Sequence, residues 1–130
     1  MNAKSATSYY KSVSLKTGVE AADAHRLLEM LLGGAGSKIS EAKAHMRSGD
    51  TTLKGEAIGK AIAILEYLRA SLDPGIDTQF AEQLGELYQY MERRLLEANL
   101  KNDELMLSEV LSHLNELIAG WSAIPAEYRG

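Results

Sequence analysis

Acidic residues placed near histidines are the side chains in this sequence whose types and spacing could support chemistry. Glu41 precedes His45 by four residues, and Glu109 precedes His113 by four. Di-iron centres in helical bundles use Glu-x-x-His pairs, three residues apart, together with further glutamates that project inward. Glu109 is also expected to point to solvent, because it falls outside the apolar stripe of its helix. The spacing therefore predicts no metal site.

Histidine phosphotransfer is another chemistry that a helical bundle with an exposed histidine could perform. His45, followed by Gly49, is the candidate for it, but His45 lacks the Lys-Gly that comes shortly after the histidine in such domains. His25 has no acid or nucleophile beside it, and no Gly-rich phosphate loop or catalytic triad can be assembled. The chain contains no cysteine and so has no thiol chemistry. We expect no catalytic residue and no cofactor, and keep a histidine phosphotransfer domain as an alternative.

The composition is that of an acidic protein with a single domain. The chain has 130 residues, of which 45% are hydrophobic and 25% charged, and its net charge is −4. That charge does not favour nucleic acid or an anionic membrane as a partner. The first residues are polar, and no apolar run approaches the roughly 20 residues that a membrane span needs. A cytoplasmic protein without membrane insertion is therefore expected.

Helical periodicity dominates the second half of the sequence. Residues 84–103 carry apolar side chains at intervals of three and four, which is the spacing of one helix face: Leu84, Leu87, Met91, Leu95 and Ala98. Asn99, Asn102 and Asp103 follow, where the chain is expected to leave this helix and cap the next one. The next helix repeats the spacing at Leu107, Val110, Leu114, Leu117 and Trp121.

Three glycines interrupt the first predicted helix, which Asp23 is expected to cap and which ends near Gly49. Gly33, Gly34 and Gly36 lie in its middle, and each weakens a helix by about 1 kcal/mol relative to alanine. The apolar stripe continues in register on both sides of these glycines. We therefore expect packing against neighbours, rather than a kink, to hold this helix together.

The second predicted helix, residues 51–72, is apolar around roughly half of its circumference. A bundle helix normally needs an apolar stripe of little more than about 100°. Gly55, Gly59 and Ala63 form a flat strip beside this apolar half, at intervals of four. Small residues let another helix approach closely. The apolar surface beyond what a bundle helix needs therefore predicts a second contact surface on this helix. The alternative is that this helix is simply the most buried of the four.

Four amphipathic helices joined by short connections predict an all-α protein, an antiparallel four-helix bundle. Residues 1–22 lack a sustained period and are expected to form a mobile N-terminal arm. Residues 23–124 would form the bundle, and residues 125–130 a C-terminal tail. A frayed terminus without function is the alternative for the arm.

The run LYQYMERRLLEANLKND resembles the signature of the FliS family of flagellar secretion chaperones, LY-x-YM-x-RRL-x-EAN-x-x-ND. HRLLEMLLGGA at residues 25–35 is similar to the family's first bundle helix. KGEAIGKAI at residues 54–62 resembles the second helix, RASLD at residues 69–73 its end, and the region of Trp121 the close of the fourth.

This resemblance covers about residues 9–124, nearly the whole chain. The sequence departs from the family pattern at Asp23-Ala24, at Gly33 and Gly36 and in residues 74–78, which leaves details of the first helix and one loop open.

The resemblance implies a cytosolic, non-enzymatic bundle that binds the C-terminal segment of newly made flagellin. That segment is disordered in the flagellin monomer, and binding prevents premature polymerisation and delivers the subunit to the flagellar type III export gate. Tyr10 would then be the arm residue that docks on the body. Arg93, Arg94, Glu97 and Asn99 match the signature and are expected mainly to fix the turn between the last two helices.

The candidate partner-binding residues lie on the arm, the second helix and the central stretch: Tyr10, Gly55, Ile58, Gly59, Ile62, Ala63, Tyr67 and Tyr88. The expected partners are the C-terminal segment of flagellin and a component of the export gate. The rival class is a self-assembling structural bundle, whose surplus apolar face closes a homodimer or a larger oligomer.

Overall fold

The structure, a computed structural model, describes residues 21–72, 75 and 78–122, without the side chains of residues 21–25, 80, 121 and 122. In this part of the chain there are four helices: α1 (Ala21–Ser48), α2 (Thr51–Ala70), α3 (Thr78–Lys101) and α4 (Glu104–Ser122). The predicted all-α helical bundle is confirmed. The predicted arm with Tyr10, and the predicted tail, lie outside the described residues.

Each helix packs against two neighbours, in the cyclic order α1, α2, α3, α4 and back to α1. Neighbouring helices run in opposite directions. Lys54 near the start of α2 meets Asn99 near the end of α3, whereas Arg69 near the end of α2 meets Glu92. Arg47 and Glu104 likewise join the last turn of α1 to the first turn of α4.

The core is a continuous cluster to which all four helices contribute. Its largest fully buried side chains are Ile39, Ile58, Leu65, Tyr88, Met91, Leu95, Leu107, Val110 and Leu114. The stripes predicted on α3 and α4 supply most of these residues, because side chains three and four apart share one helix face. The described helices include none that is both long enough and apolar enough to span a membrane.

Two turns of two residues, built alike, join α1 to α2 and α3 to α4. Gly49 has a φ of 78° and Asn102 a φ of 53°, a left-handed conformation that glycine and asparagine adopt most readily. An aspartate follows in each turn and caps the next helix. Asp50 accepts a backbone N–H bond of 3.0 Å, and Asp103 accepts two of 2.9 and 3.3 Å. The predicted cap after α3 is confirmed.

Two predicted helix ends need correction. α1 begins at Ala21, so Asp23 lies within its first turn and is not its cap. Alanine is the best helix former, and an acidic residue is favourable in a first turn, so the helix extends upstream of Asp23. α2 ends at Ala70 instead of residue 72, because Ser71 caps it and donates its hydroxyl to the carbonyl of Tyr67 at 2.8 Å.

The three glycines of α1 lie within one uninterrupted helix. A Cβ atom on Gly34 would lie 3.6 Å from Ile64 Cδ1, and one on Gly36 would lie 3.6 Å from Leu111 Cδ1. Apolar side chains of α2 and α4 therefore pack close to the glycine backbone on two sides. This arrangement agrees with the expectation that packing holds the helix together.

Candidate partner-binding surface on the outside of α2

A row of residues at intervals of four crosses the outside of α2. Each step of four residues rotates by about 40° around a helix. The row begins beside α3, where a Cβ atom on Gly55 would lie 4.0 Å from Asn99 Nδ2. It continues outward through Gly59 and Ala63, both exposed, to Tyr67, which is 57% exposed. A Cβ atom on Gly59 would have no neighbour within 4 Å, so the middle of the row is open to a partner.

Exposed leucines of α3 flank the start of this row. Leu96 is 53% exposed and Leu100 is 77% exposed. Glu92 pairs with Arg69 of α2, and residues four apart share one side of a helix. Leu96, four residues after Glu92, therefore lies on the side of α3 that faces α2. Leu100 lines a surface depression together with Lys54 of α2.

Exposed apolar side chains of α1 flank the other end of the row. Gly34 lies level with Ile64, because the two are in near contact. Met30, one turn earlier on α1, is therefore level with Tyr67 near the end of α2. Met30 is 66% exposed and Leu27 is 46% exposed.

These residues lie on the outer side of α2 and of its two neighbours and make up what we call the outer α2 surface, where the charged side chains of Glu56, Lys60 and Glu66 are also exposed. It comprises Leu27 and Met30 of α1, Gly55, Gly59, Ala63 and Tyr67 of α2, and Leu96 and Leu100 of α3. The row from Gly55 to Tyr67 spans about 18 Å along the helix axis. Large exposed apolar side chains concentrated on one side of a protein mark a candidate interaction site.

Three candidate residues from the sequence lie elsewhere. Ile58 is 1% exposed and Tyr88 is 2% exposed, so both belong to the core and are not accessible to a partner in this conformation. Ile62 is half-buried and packs against the core. The physical reason is rotation: successive residues differ by about 100° around a helix, so Ile58 points inward where its neighbour Gly59 points outward.

Polar side chains fix α2 against α3 beneath this surface. Arg69 donates from Nε and Nη2 to the two carboxylate oxygens of Glu92, at 2.8 and 3.1 Å. Lys54 Nζ donates to the carbonyl of Asn99 at 3.2 Å and to Oδ1 of Asn102 at 3.0 Å. Lys54 and Glu92 are the buried charged residues of the described chain, at 5% and 8% exposure.

Sequence reasoning did not single out Lys54, Arg69 or Glu92. All three lie within the runs that carry the family resemblance. The structure therefore gives those runs a physical meaning, because residues from separate runs meet in space and join α2 to α3. The available clue was a lysine in line with the apolar face of α2, since Lys54 falls on the same side of the helix as Ala61 and Leu65.

A polar cluster joins α3 to α4 on another face of the bundle. The Tyr90 hydroxyl donates to Oε2 of Glu109, and Arg94 donates to Oε1 of Glu109 from Nη2 and Nε at 2.7 and 3.1 Å. Arg94 Nη1 also binds Glu97 at 3.0 Å, and His113 Nε2 lies 3.5 Å from Glu109. Arg94 thus joins the bodies of α3 and α4 through Glu109, and Glu97 binds Arg94 on the same helix; that these residues fix the turn between the last two helices stays a prediction.

The expectation that Glu109 points to solvent was wrong. Its side chain is 33% exposed and reaches across to α3, because a long side chain at the edge of an apolar stripe can follow the neighbouring helix. The hydroxyl of Tyr90 and the guanidinium of Arg94 hold the pKa of Glu109 below its ordinary value. The same hydrogen bond to Glu109 raises the pKa of Tyr90.

No group of three or more metal-binding side chains forms within the described residues. His45 is half-buried in the last turn of α1 and lines the same depression as Leu100. The absence of a catalytic or metal-dependent activity stays a prediction. What the fold and the surface define is a helical bundle with exposed apolar side chains concentrated on one side.

The family model described as flagellar protein FliS matches residues 6–128. The chain belongs to the FliS family, as its sequence motifs indicated.

Three curated relatives are similar over most of their length. A flagellar secretion chaperone FliS of Salmonella typhimurium is 42% identical over 116 residues, covering 88% of this chain and 86% of the relative. The flagellar secretion chaperone FliS of Vibrio cholerae is 37% identical over 119 residues, which cover 92% of this chain and 88% of the relative. The flagellar secretion chaperone FliSB of Pseudomonas aeruginosa is 39% identical over 124 residues, which cover 95% of this chain and 98% of the relative.

Proposed function

We propose that this protein is a flagellar export chaperone that binds the C-terminal segment of flagellin. Binding keeps flagellin from polymerising prematurely and lets the subunit be delivered to the flagellar type III export apparatus. The observation that carries the proposal is the outer α2 surface, where exposed apolar side chains are concentrated on a chain of the FliS family. The relatives named above are flagellar secretion chaperones, which supports the same role here.

The surface has the chemistry that a folding client segment needs. A disordered segment with amphipathic helical periodicity can fold on a scaffold that offers an apolar groove. Gly55, Gly59 and Ala63 present little side-chain bulk, so the backbone of a client helix can approach α2 closely. Leu96 and Met30 lie on either side and supply apolar contacts to the flanks of such a helix.

The scaffold under the surface is well fixed before any client arrives. Ile58 and Leu65 anchor α2 in the core, and the Arg69–Glu92 and Lys54–Asn99 bonds fix its rotation against α3. A preorganised surface loses little conformational entropy on binding, so the ordering cost falls mainly on the client. A chaperone must release its client for export, and that ordering cost limits the affinity of the complex.

Mixing the protein with a peptide of the flagellin C-terminal segment tests the proposal against self-assembly. Static light scattering gives the mass of each species, and circular dichroism gives the helical content of the mixture. We expect a complex of the protein and the peptide with more helix than the sum of its parts. Absence of a complex, with the protein alone forming stable oligomers, would favour the structural bundle instead.

A further inference from the structure

Lys54 is a buried ammonium with one hydrogen-bond donor left over. Lys54 is 5% exposed, and its Nζ donates to the carbonyl of Asn99 and to Oδ1 of Asn102. A lysine ammonium carries three N–H donors, so two bonds leave the third without a partner in the part of the chain that the structure describes. Within the described residues Lys54 forms no ion pair with a carboxylate.

The two bonds compensate the buried charge only in part. The carbonyl of Asn99 belongs to the last turn of α3, where the helix dipole favours a cation. A charge taken out of water is nevertheless costly until it is paired with an opposite charge. The carboxylate of Asp50 lines the same depression and accepts the N–H of Leu53 through Oδ1, but it forms no ion pair with Lys54. Among the described residues, the ammonium therefore has no carboxylate within ion-pair distance.

A depression of about 330 Å³ opens at this lysine, between the two turns of two residues. We call it the turn pocket. Met46 and Leu100 supply apolar walls, and Lys54, His45, Asp50 and Asn102 are among the residues that supply polar ones. The turn pocket is large enough for one or two side chains of a bound peptide. It thus combines apolar contact with an incompletely paired cation.

We propose that the turn pocket binds an acidic residue of the client peptide, whose carboxylate accepts the third N–H of Lys54 while a neighbouring apolar side chain packs on Met46 and Leu100. This inference rests on the proposed function, because the occupant is the flagellin segment that binds the outer α2 surface. Leu100 belongs to both the surface and the pocket, and Gly55 directly follows Lys54, so one peptide can occupy both. The pocket then fixes the register of the client along the row of small residues.

Substitution of Leu100 tests the pocket without disturbing the core, since this side chain is 77% exposed. Leu100→Glu would place a competing carboxylate at the pocket, whereas Leu100→Gln removes the same apolar contact without a charge. Leu105→Glu is the matched control, because Leu105 is 81% exposed at the same end of the bundle but does not line the pocket. Calorimetric titration with the flagellin C-terminal peptide should show about tenfold weaker binding for Leu100→Glu than for Leu100→Gln, the effect of one charge-assisted bond. Leu105→Glu should bind like the native protein.

Neutralising the peptide gives a second and independent test. Each Asp or Glu of the peptide is replaced in turn by Asn or Gln and titrated against the native protein and Lys54→Met. We expect one replacement to weaken binding about tenfold in the native protein and less than about twofold in Lys54→Met.

Equal effects of the replacement in both proteins, or equal affinities of Leu100→Glu and Leu100→Gln, would overturn the proposed binding in the turn pocket while leaving the proposed function intact. No binding of the unmodified peptide to the native protein would overturn both. If Lys54→Met does not fold, the comparison at Leu100 decides.

Discussion

Arg69 of α2 and Glu92 of α3 form a bidentate ion pair, in which Nε and Nη2 of the arginine donate to the two carboxylate oxygens at 2.8 and 3.1 Å. The side chain of Glu92 is 10% exposed, whereas that of Arg69 is 42% exposed. The carboxylate is thus largely buried, and the guanidinium covers it from the solvent side. This pair sets the rotation of α2 against α3, and with it the direction in which the row from Gly55 to Tyr67 points.

Removal of the arginine should destabilise the bundle. Arg69→Met leaves the largely buried Glu92 carboxylate without its partner, and we expect a lower free energy of unfolding than in the native protein. Urea denaturation at neutral pH measures it. Lys60→Met is the control, since Lys60 is exposed on the same helix and its substitution should change little. Equal midpoints for the two variants would show that the ion pair contributes nothing.

The contact between Tyr90 and Glu109 should make stability depend on pH. The pKa of Glu109 is held below its ordinary value, first by the Tyr90 hydroxyl and then by Arg94. The ionised Glu109 therefore contributes to the free energy of unfolding above its unfolded-state pKa of about 4.3. That contribution is lost as the pH falls through the lower folded-state pKa. Tyr90→Phe should raise the pKa of Glu109 and reduce this loss on acidification.

Carbon-13 NMR titration of the Glu109 carboxyl group checks this, together with thermal melts at pH 7 and pH 3. Tyr67→Phe is the control, because its side chain is not part of the Glu109 cluster. An unchanged pKa of Glu109 in Tyr90→Phe would contradict the assignment of the hydroxyl as the main cause.

The left-handed conformation of Asn102 predicts an order among its variants. Asn102→Gly and Asn102→Ala both lose the hydrogen bond from Lys54, but glycine adopts a φ near 53° without strain. Asn102→Ala should therefore be less stable than Asn102→Gly by about 1 kcal/mol. Chemical denaturation of the two variants measures the difference. Equal stability would mean that the turn relaxes to another conformation in solution.

The glycines of α1 should be replaceable by alanine with a gain in stability. A Cβ atom on Gly33 would have no neighbour within 4 Å, and one on Gly36 would make ordinary contact with Leu111 Cδ1. Each substitution should raise the free energy of unfolding by up to about 1 kcal/mol. Thermal melts of Gly33→Ala and Gly36→Ala test this expectation. A lower melting temperature for Gly33→Ala would show that α1 needs backbone freedom at this point.

Much of the fold could be predicted from the sequence, because local chemistry determines it. Apolar intervals of three and four identified the buried faces of α3 and α4, and Leu95 and Leu114 are both fully buried. The turns at Gly49 and Asn102 could also be predicted. Glycine and asparagine readily adopt the left-handed backbone conformation that ends one helix, and the aspartate that follows each of them caps the next helix.

The polar pairs between helices could not be predicted in the same way. Whether Arg69 reaches Glu92, or Glu109 reaches Tyr90, depends on the rotation and relative height of two helices, which a single sequence does not contain. The candidate site shows the same limit on a smaller scale. Gly59 and Ile58 are neighbours in the sequence, yet one is exposed and the other lies in the core. Both were candidate partner-binding residues, although Gly59 falls beside the apolar half of α2 and Ile58 within it.

The central claim is that the outer α2 surface binds the client, and Gly59 is its most open point. A Cβ atom there would have no neighbour within 4 Å, so Gly59→Leu should not overpack the bundle. Leucine is also the better helix former, by several tenths of a kcal/mol to about 1 kcal/mol. Gly59→Ala adds only one carbon atom at the same place. Asn115→Leu adds an exposed leucine on α4, which packs mainly against α1 and α3.

Titration of the flagellin C-terminal peptide against Gly59→Leu, with thermal melts of the same samples, tests that claim most directly. We predict a large loss of affinity together with an unchanged or raised melting temperature, while Gly59→Ala and Asn115→Leu keep most of the native affinity. Native affinity in a stably folded Gly59→Leu protein would contradict the claim that the client binds across the outside of α2.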